Sequence, residues 1–311
     1  MKKILLTLSA FVLSVGLLSA QDLAQATETY NNGASALSAG EKASALEQFQ
    51  NALKLAQACG DEGAEIVENC KNVIPTIGLS IAKDLIKAEE YDNAVAKLQD
   101  AVKLAEQFSA DEVIEEAKSL IPQVMMQKGA SLLNAKDYAG AVAAYQSIVD
   151  ADPANGVAAL RLGMALTGAG KTADAIKAFE AAAANGQEAT AKKQIANLYL
   201  KDAAAALKDK KYADAFAAAV KVNEYAENAQ AYLVAGQAAQ QLKKNNDAIA
   251  NFEKYIELSP TAKNAAAITF TVAALYQQAG NKAKALENYK KVTGDASLGA
   301  QAKQQVEALS K

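Results

Sequence analysis

One phrase recurs seven times along this chain and limits its fold more than any other feature. It is a small residue on one helix-forming stretch, a short Gly/Asn/Lys/Asp turn, then an alanine followed four residues later, in six of the seven units, by a bulky side chain. The alanines are Ala45, Ala94, Ala141, Ala175, Ala215, Ala248 and Ala285, separated by 49, 47, 34, 40, 33 and 37 residues. Twelve positions before each stands a small residue: Gly33, Ala82, Gly129, Gly163, Ala203, Gly236 and Ala273. Phe49, Tyr145, Phe179, Phe252 and Tyr289 follow four residues after their alanines, with Leu98 and Ala219 in the other two units. A period near 34 with this layout predicts helical hairpins stacked in series, because one hairpin cannot bury its apolar face alone. The small residue lets the two helices of a hairpin approach, and the aromatic is expected to plug into the next hairpin. Tyr91, Tyr138 and Tyr212 are expected to open second helices.

The intervening sequence agrees. Beyond residue 21 Ala, Leu, Glu, Lys and Gln dominate, apolar residues return at i, i+3, i+4 and i+7, and no stretch alternates as a strand would. The two long spacings contain related segments, Asp61–Pro75 and Asp111–Pro122, each acidic at its start and ending in Ile-Pro. Acidic residues suit a helix N-terminus. An internal proline removes a donor, so each segment is expected to be an extra half-helix that kinks or restarts at Pro75 or Pro122. Pro153 and Pro260 fall where second helices should stop. Ala296 to Lys311 is expected to form a final amphipathic helix, polar through Lys303, Gln304 and Glu307, that caps the stack.

Residues 1–20 look like an address. A basic start at Lys2 and Lys3, an apolar stretch from Ile4 to Leu18 and small residues at Ser19-Ala20 form the pattern of a secretory signal peptide. The alternative, an uncleaved anchor, is disfavoured because about 20 apolar residues are needed to span a bilayer. Removing that segment leaves a net charge of −5, against −3 for the whole chain. An exported chain, periplasmic or secreted and without membrane insertion after cleavage, is the expectation. Cys59 and Cys70 would then meet an oxidising compartment. A bridge between them and two buried small hydrophobes are both open, although a two-turn climb of about 10 Å up the second helix disfavours the bridge.

Composition removes several classes of chemistry. With no histidine there is no Ser-His or Cys-His nucleophile and no imidazole ligand. Arg161 is the only arginine, which precludes a guanidinium cluster, and the acidic balance argues against nucleic acid. Ala165–Thr172, with Gly170-Lys171-Thr172, imitates a phosphate-binding loop. Such a loop must follow a strand, whereas a helix precedes this one. Glu65, Glu68, Glu115 and Glu116 lie near Lys71 and Lys118 and read as solvated helix surface rather than paired carboxylates. No metal spacing, cofactor or catalytic residue is expected.

These units resemble tetratricopeptide repeats. The likeness is carried by Leu162-Gly163…Leu166…Gly170…Ala175…Phe179…Ala182 and by Gly236…Ala248…Phe252…Tyr255…Pro260, and it extends over nearly all of residues 29–294. The resemblance implies an all-α, right-handed α-solenoid of antiparallel helix hairpins over residues 21–295, with residues 296–311 as the cap. It further implies that first helices line a concave groove that binds a protein or peptide. The corresponding positions are Met126 and Ala130, Leu160 and Met164, Leu200 and Ala204, Leu233 and Gln237, and Phe270 and Ala274. Gln240, Gln277 and Gln278 stand beside them. A non-catalytic interaction scaffold of the periplasm or envelope is the expected function; an envelope chaperone holding unfolded or outer-membrane clients is the alternative.

Overall fold

The computed structural model describes residues 19–310, with side chains from residue 21. The export segment expected over residues 1–20 lies outside the described residues except for Ser19 and Ala20, whose backbone begins the first helix. Among the described residues the chain is all-α, with no strand. Seven helical hairpins follow one another. They are α1 (Ser19–Ser38) with α2 (Lys42–Ala58), α3 (Ala64–Lys87) with α4 (Tyr91–Phe108), and α5 (Asp111–Asn134) with α6 (Tyr138–Ala151). Then come α7 (Gly156–Gly168) with α8 (Thr172–Ala182), α9 (Glu188–Lys208) with α10 (Tyr212–Tyr225), α11 (Ala229–Gln241) with α12 (Asn245–Leu258), and α13 (Ala265–Gln278) with α14 (Lys282–Lys291). A last helix, α15 (Gly299–Ser310), closes the series. Two compact units divide at Asp152 and Pro153, the first holding α1 to α6 and the second α7 to α15.

All seven hairpins turn in the same way. The residue after the first helix's C-cap takes a left-handed conformation: Gly40, Glu89, Lys136, Gly170, Lys210, Lys243 or Gly280, with φ between 57° and 83°. The next amide reaches back to the carbonyl five residues earlier, as in Glu90 to Leu85 at 3.0 Å, Lys171 to Leu166 at 2.9 Å and Lys244 to Ala239 at 2.9 Å. This closure satisfies carbonyls that the helix end would otherwise leave without donors. Gly170 therefore turns a hairpin; the residues imitating a phosphate loop follow a helix, not a strand.

Packing follows from the small residue and the bulky one. The seven repeat alanines have no exposed surface. Phe179 lies against Gly163 so closely that a Cβ there would stand 2.5 Å from the ring, and Tyr145 on Gly129 and Phe252 on Gly236 leave 2.6 and 2.5 Å. The aromatic thus fills the hairpin to which it belongs as well as meeting the next. Phe49 does both, packing over Gly33 and joining Cys70, Val73, Ile74 and Ile77 of α3 in one cluster.

Two expectations change. Pro75 and Pro122 do not restart their helices: α3 and α5 are each a continuous 24 residues. A proline inside a helix costs about 3 kcal/mol. Burial of Ile74, Ile77 and Leu79 around Pro75 outweighs that, since each such side chain contributes about 1.5–3 kcal/mol. The last helix starts at Gly299 instead of Ala296, because the Asp295 carboxylate accepts from the amides of Ser297 at 2.9 Å and Leu298 at 2.8 Å and draws the chain into a turn. Those amides also hold the Asp295 carboxyl below the usual range. Val306 and Leu309 of α15 then lie against the last core cluster. The cysteines are both free thiols: Cys70 is buried beside Phe49, and the Cys59 thiol donates to the Leu55 carbonyl at 3.3 Å. Cys70 acts as packing, and no bridge joins it to Cys59.

Candidate functional site

A first helix buries one face against its partner and leaves another open, so the open face is set by the same 3.6-residue period that places the glycine. On α7 that face carries Val157, Leu160, Arg161 and Met164. Val157 is 46% exposed, Arg161 is exposed, and Leu160 and Met164 are half-buried. On α9 it carries half-buried Leu200 with exposed Lys201 and Ala204. Leu200 also leans on a core cluster of Ala196, Val222 and Ala231.

The character changes along the second unit. On α11 Gln230, Gln237 and Gln240 are exposed, but Leu233 is only 7% exposed and belongs to the core. On α13 Phe270 and Ala274 are half-buried, while Gln277 and Gln278 are open. The Phe270 ring meets Tyr289 edge-on with centroids 5.0 Å apart. The Tyr289 hydroxyl donates to Gln277 Oε1 at 2.9 Å, which fixes how that amide is presented. Burial raises the Tyr289 hydroxyl above its ordinary range, so it remains a donor. Leu233 and Phe270 thus serve the hairpins' own packing more than the surface, and a partner would meet an apolar, cationic face on α7 and α9 and an amide face on α11 and α13. Met126, half-buried, and Ala130, exposed, hold the matching positions on α5 of the first unit.

Val157 and Gln230, each six residues before the packing glycine, were not among the expected groove residues. Extending the helical spacing one turn backward from Leu160 and Leu233 finds them. A tyrosine pair on α9 and α10 lies outside the expected set as well: the Tyr199 and Tyr225 rings stack at 5.9 Å, and the Tyr225 hydroxyl donates to Glu180 Oε1 at 3.0 Å. Burial, then that carboxylate, push the Tyr225 hydroxyl up to about 12.

The carboxylates singled out in the sequence stay apart from any site. Glu68 pairs with Lys71 at 4.0 Å, Glu116 with Lys83 at 2.6 Å, and Lys118 with Glu106 at 3.2 Å, all on exposed helix surface; Glu65 and Glu115 are exposed as well. Among the described residues no group of three or more Cys, Asp or Glu could hold a metal ion, and no helix is long and apolar enough to cross a membrane.

Hairpins in series, each turned by one closure and packed through one small residue, define a helical repeat protein whose candidate site is an open helix face. The comparisons with known proteins name the repeat. One tetratricopeptide-repeat family model matches residues 79–156 and 126–190, and a second matches residues 229–261. Residues 79–190 and 229–261 are thus tetratricopeptide repeats. No curated protein matches it. Among solved structures, the crystal structure of MamA protein is 20% identical, covering 59% of this chain and 96% of its own, with a TM-score of 0.37. The P58(IPK) TPR domain is 16% identical, covering 92% of this chain and 97% of its own, with a TM-score of 0.29. Repeats of this family bind proteins or peptides, and the fold supports a protein–protein interaction scaffold.

Proposed function

We propose that this chain is a non-catalytic scaffold, exported to the periplasm or cell envelope or secreted, that binds a peptide or protein segment along the open face of its first helices. The observation supporting that surface is the stripe on α7, where Val157, Leu160 and Met164 fall on one side at spacings of three and four and stay half-buried or open. Large apolar side chains left open in a row are a cost to a chain with no partner and a contact for one that has it. Methionine adds adaptability, since its unbranched thioether repacks against varied side chains. Arg161 and Lys201, beside the stripe, would hold an acidic group of the bound segment.

The test is a double substitution, Leu160→Glu with Met164→Glu, in the chain isolated from its native compartment. Loss of the co-purifying partner with helicity unchanged by circular dichroism is expected. Unchanged recovery of partners overturns the assignment to this face. Comparable binding of unrelated unfolded chains would move the reading to a client-holding chaperone. Export is checked separately: the mature N-terminus should be Gln21, read by terminal sequencing of the fractionated protein.

A further inference from the structure

The two units carry opposite charge. Residues 21–152 hold 21 acids and 10 lysines, a net charge of −11; residues 153–311 hold 14 acids and 20 basic residues, a net charge of +6. The difference is sharpest at equivalent atoms of the hairpin turns. The residue whose amide closes the turn is Glu41, Glu90 or Asp137 in the first unit. In the second unit it is Lys171, Lys211, Lys244 or Asn281. One position of one turn is therefore acidic in all three hairpins of one unit and a lysine in three of four in the other.

Successive hairpin turns share an edge. In the first unit, Lys42 beside the first turn pairs with Asp84 beside the second, and Lys128 of α5 pairs with Asp92 at the start of α4. In the second unit the Lys244 ammonium lies 5.4 Å over the Phe216 ring, which sets the α11–α12 turn beside the α9–α10 turn. Lys210, Lys211, Lys243 and Lys244 are all exposed, and among the described residues none of the four joins an ion pair. Glu41, Glu89 and Glu90 are equally exposed on the acidic edge.

We propose that the lysine edge of the second unit docks onto the acidic turn edge of the first unit in another copy of this chain. A second copy fits because the chain itself carries the complement: the same turn, repeated along a stack of the same hairpins, with the sign reversed. Complementary rows on one repeat spacing register charge against charge, which steers encounter and fixes alignment. The contact joins two different surfaces, so it is heterologous, and each added copy leaves a free edge for the next.

Sedimentation velocity of the purified chain at micromolar concentration tests this. At about 20 mM salt the chain should sediment as two or more copies, and at about 500 mM, where screening is short-ranged, as one. Two neutralised variants separate the edges. One carries Glu41→Gln, Glu89→Gln and Glu90→Gln; the other carries Lys210→Gln, Lys211→Gln, Lys243→Gln and Lys244→Gln. Each alone should be monomeric at low salt with unchanged circular dichroism. Mixed one to one they retain one intact edge each, so they should form a species of two copies and none larger. A wild type that is monomeric at low salt overturns the proposal, as does association that survives either neutralisation or a mixture that stays monomeric. A monomeric wild type that pellets with anionic phospholipid vesicles through the same lysines also overturns it, in favour of a membrane surface.

Discussion

Replacing Gly163 with alanine should strain the fourth hairpin, and shortening Phe179 should relieve the strain. A Cβ on Gly163 would stand 2.5, 2.6 and 2.9 Å from three atoms of the Phe179 ring. The ring would have to retreat by about 0.5–1 Å to reach ordinary contact, in a core that resists such shifts. Phe179 is only 1% exposed, so there is no solvent to move into. Overpacking of this kind costs about 1–3 kcal/mol, offset by about 1 kcal/mol from the better helix propensity of alanine. Phe179→Leu alone should cost about 1–2 kcal/mol in lost burial and cavity. Made together, the two should cost less than their sum by about 1–2 kcal/mol, because the second hairpin already holds Ala82 with Leu98 at the same separation of 16 residues. The assay is urea unfolding by circular dichroism, with hydrogen exchange of the α7 and α8 amides localising the effect, since repeat stacks need not unfold in one step. Additivity within about 0.5 kcal/mol would show that Gly163 is not clearance for the ring, and the packing account would fail.

Further outcomes follow from the turns, the thiols and the ion pairs. Glu89→Gly and Lys136→Gly should each raise stability by about 0.5–1 kcal/mol, since a side chain in the left-handed region costs about 1–2 kcal/mol; a loss in urea midpoint would contradict the turn geometry. A thiol reagent should modify Cys59 in the native chain and Cys70 only after unfolding, and finding no free thiol in denaturant would refute the unbridged pair. Burial pushes the Cys70 thiol up to about 12 from 9.0. A raised folded value means that its contribution is intact below about pH 9 and lost as pH rises through about 12, so melting temperature should fall across that window and fall less in Cys70→Ala. Asp84 shows the opposite sign: its hydrogen bond from Lys42, chiefly, holds the carboxyl below its usual 3.8. Its contribution is present above that value and lost in more acid solution, and a Lys42→Ala melt series at low pH should lack that step.

How legible this molecule is from its sequence depends on whether one physical requirement decides a position. Ala45, Ala94 and their five counterparts are legible because no larger side chain fits between paired helices, and all seven are fully buried. Gly163 with Phe179 is legible as a pair for the same reason. Lys210 and Lys243 in left-handed turns are not, because lysine has no preference for that conformation and the surrounding helices impose it. Pro75 misleads, since its local effect as a helix breaker is smaller than the tertiary burial of Ile74 and Ile77 beside it. The open face is legible as a set of positions but not as a set of exposures. Leu160 and Leu233 occupy the same place in their helices, yet Leu233 is drawn into the cluster shared with α12 and α13 and Leu160 is not. The charge reversal between units lies in plain counts, but only the turn hydrogen bonds reveal that it falls on equivalent residues.

The binding face is tested most directly by photocrosslinking in living cells, with a photoreactive phenylalanine at Met164 on α7 and, as a control, at Val220, an exposed position on the second helix α10. A discrete protein adduct from Met164 and none from Val220 is the predicted result. Adducts from Val220 alone, or from neither position, would contradict a partner seated on the first helices.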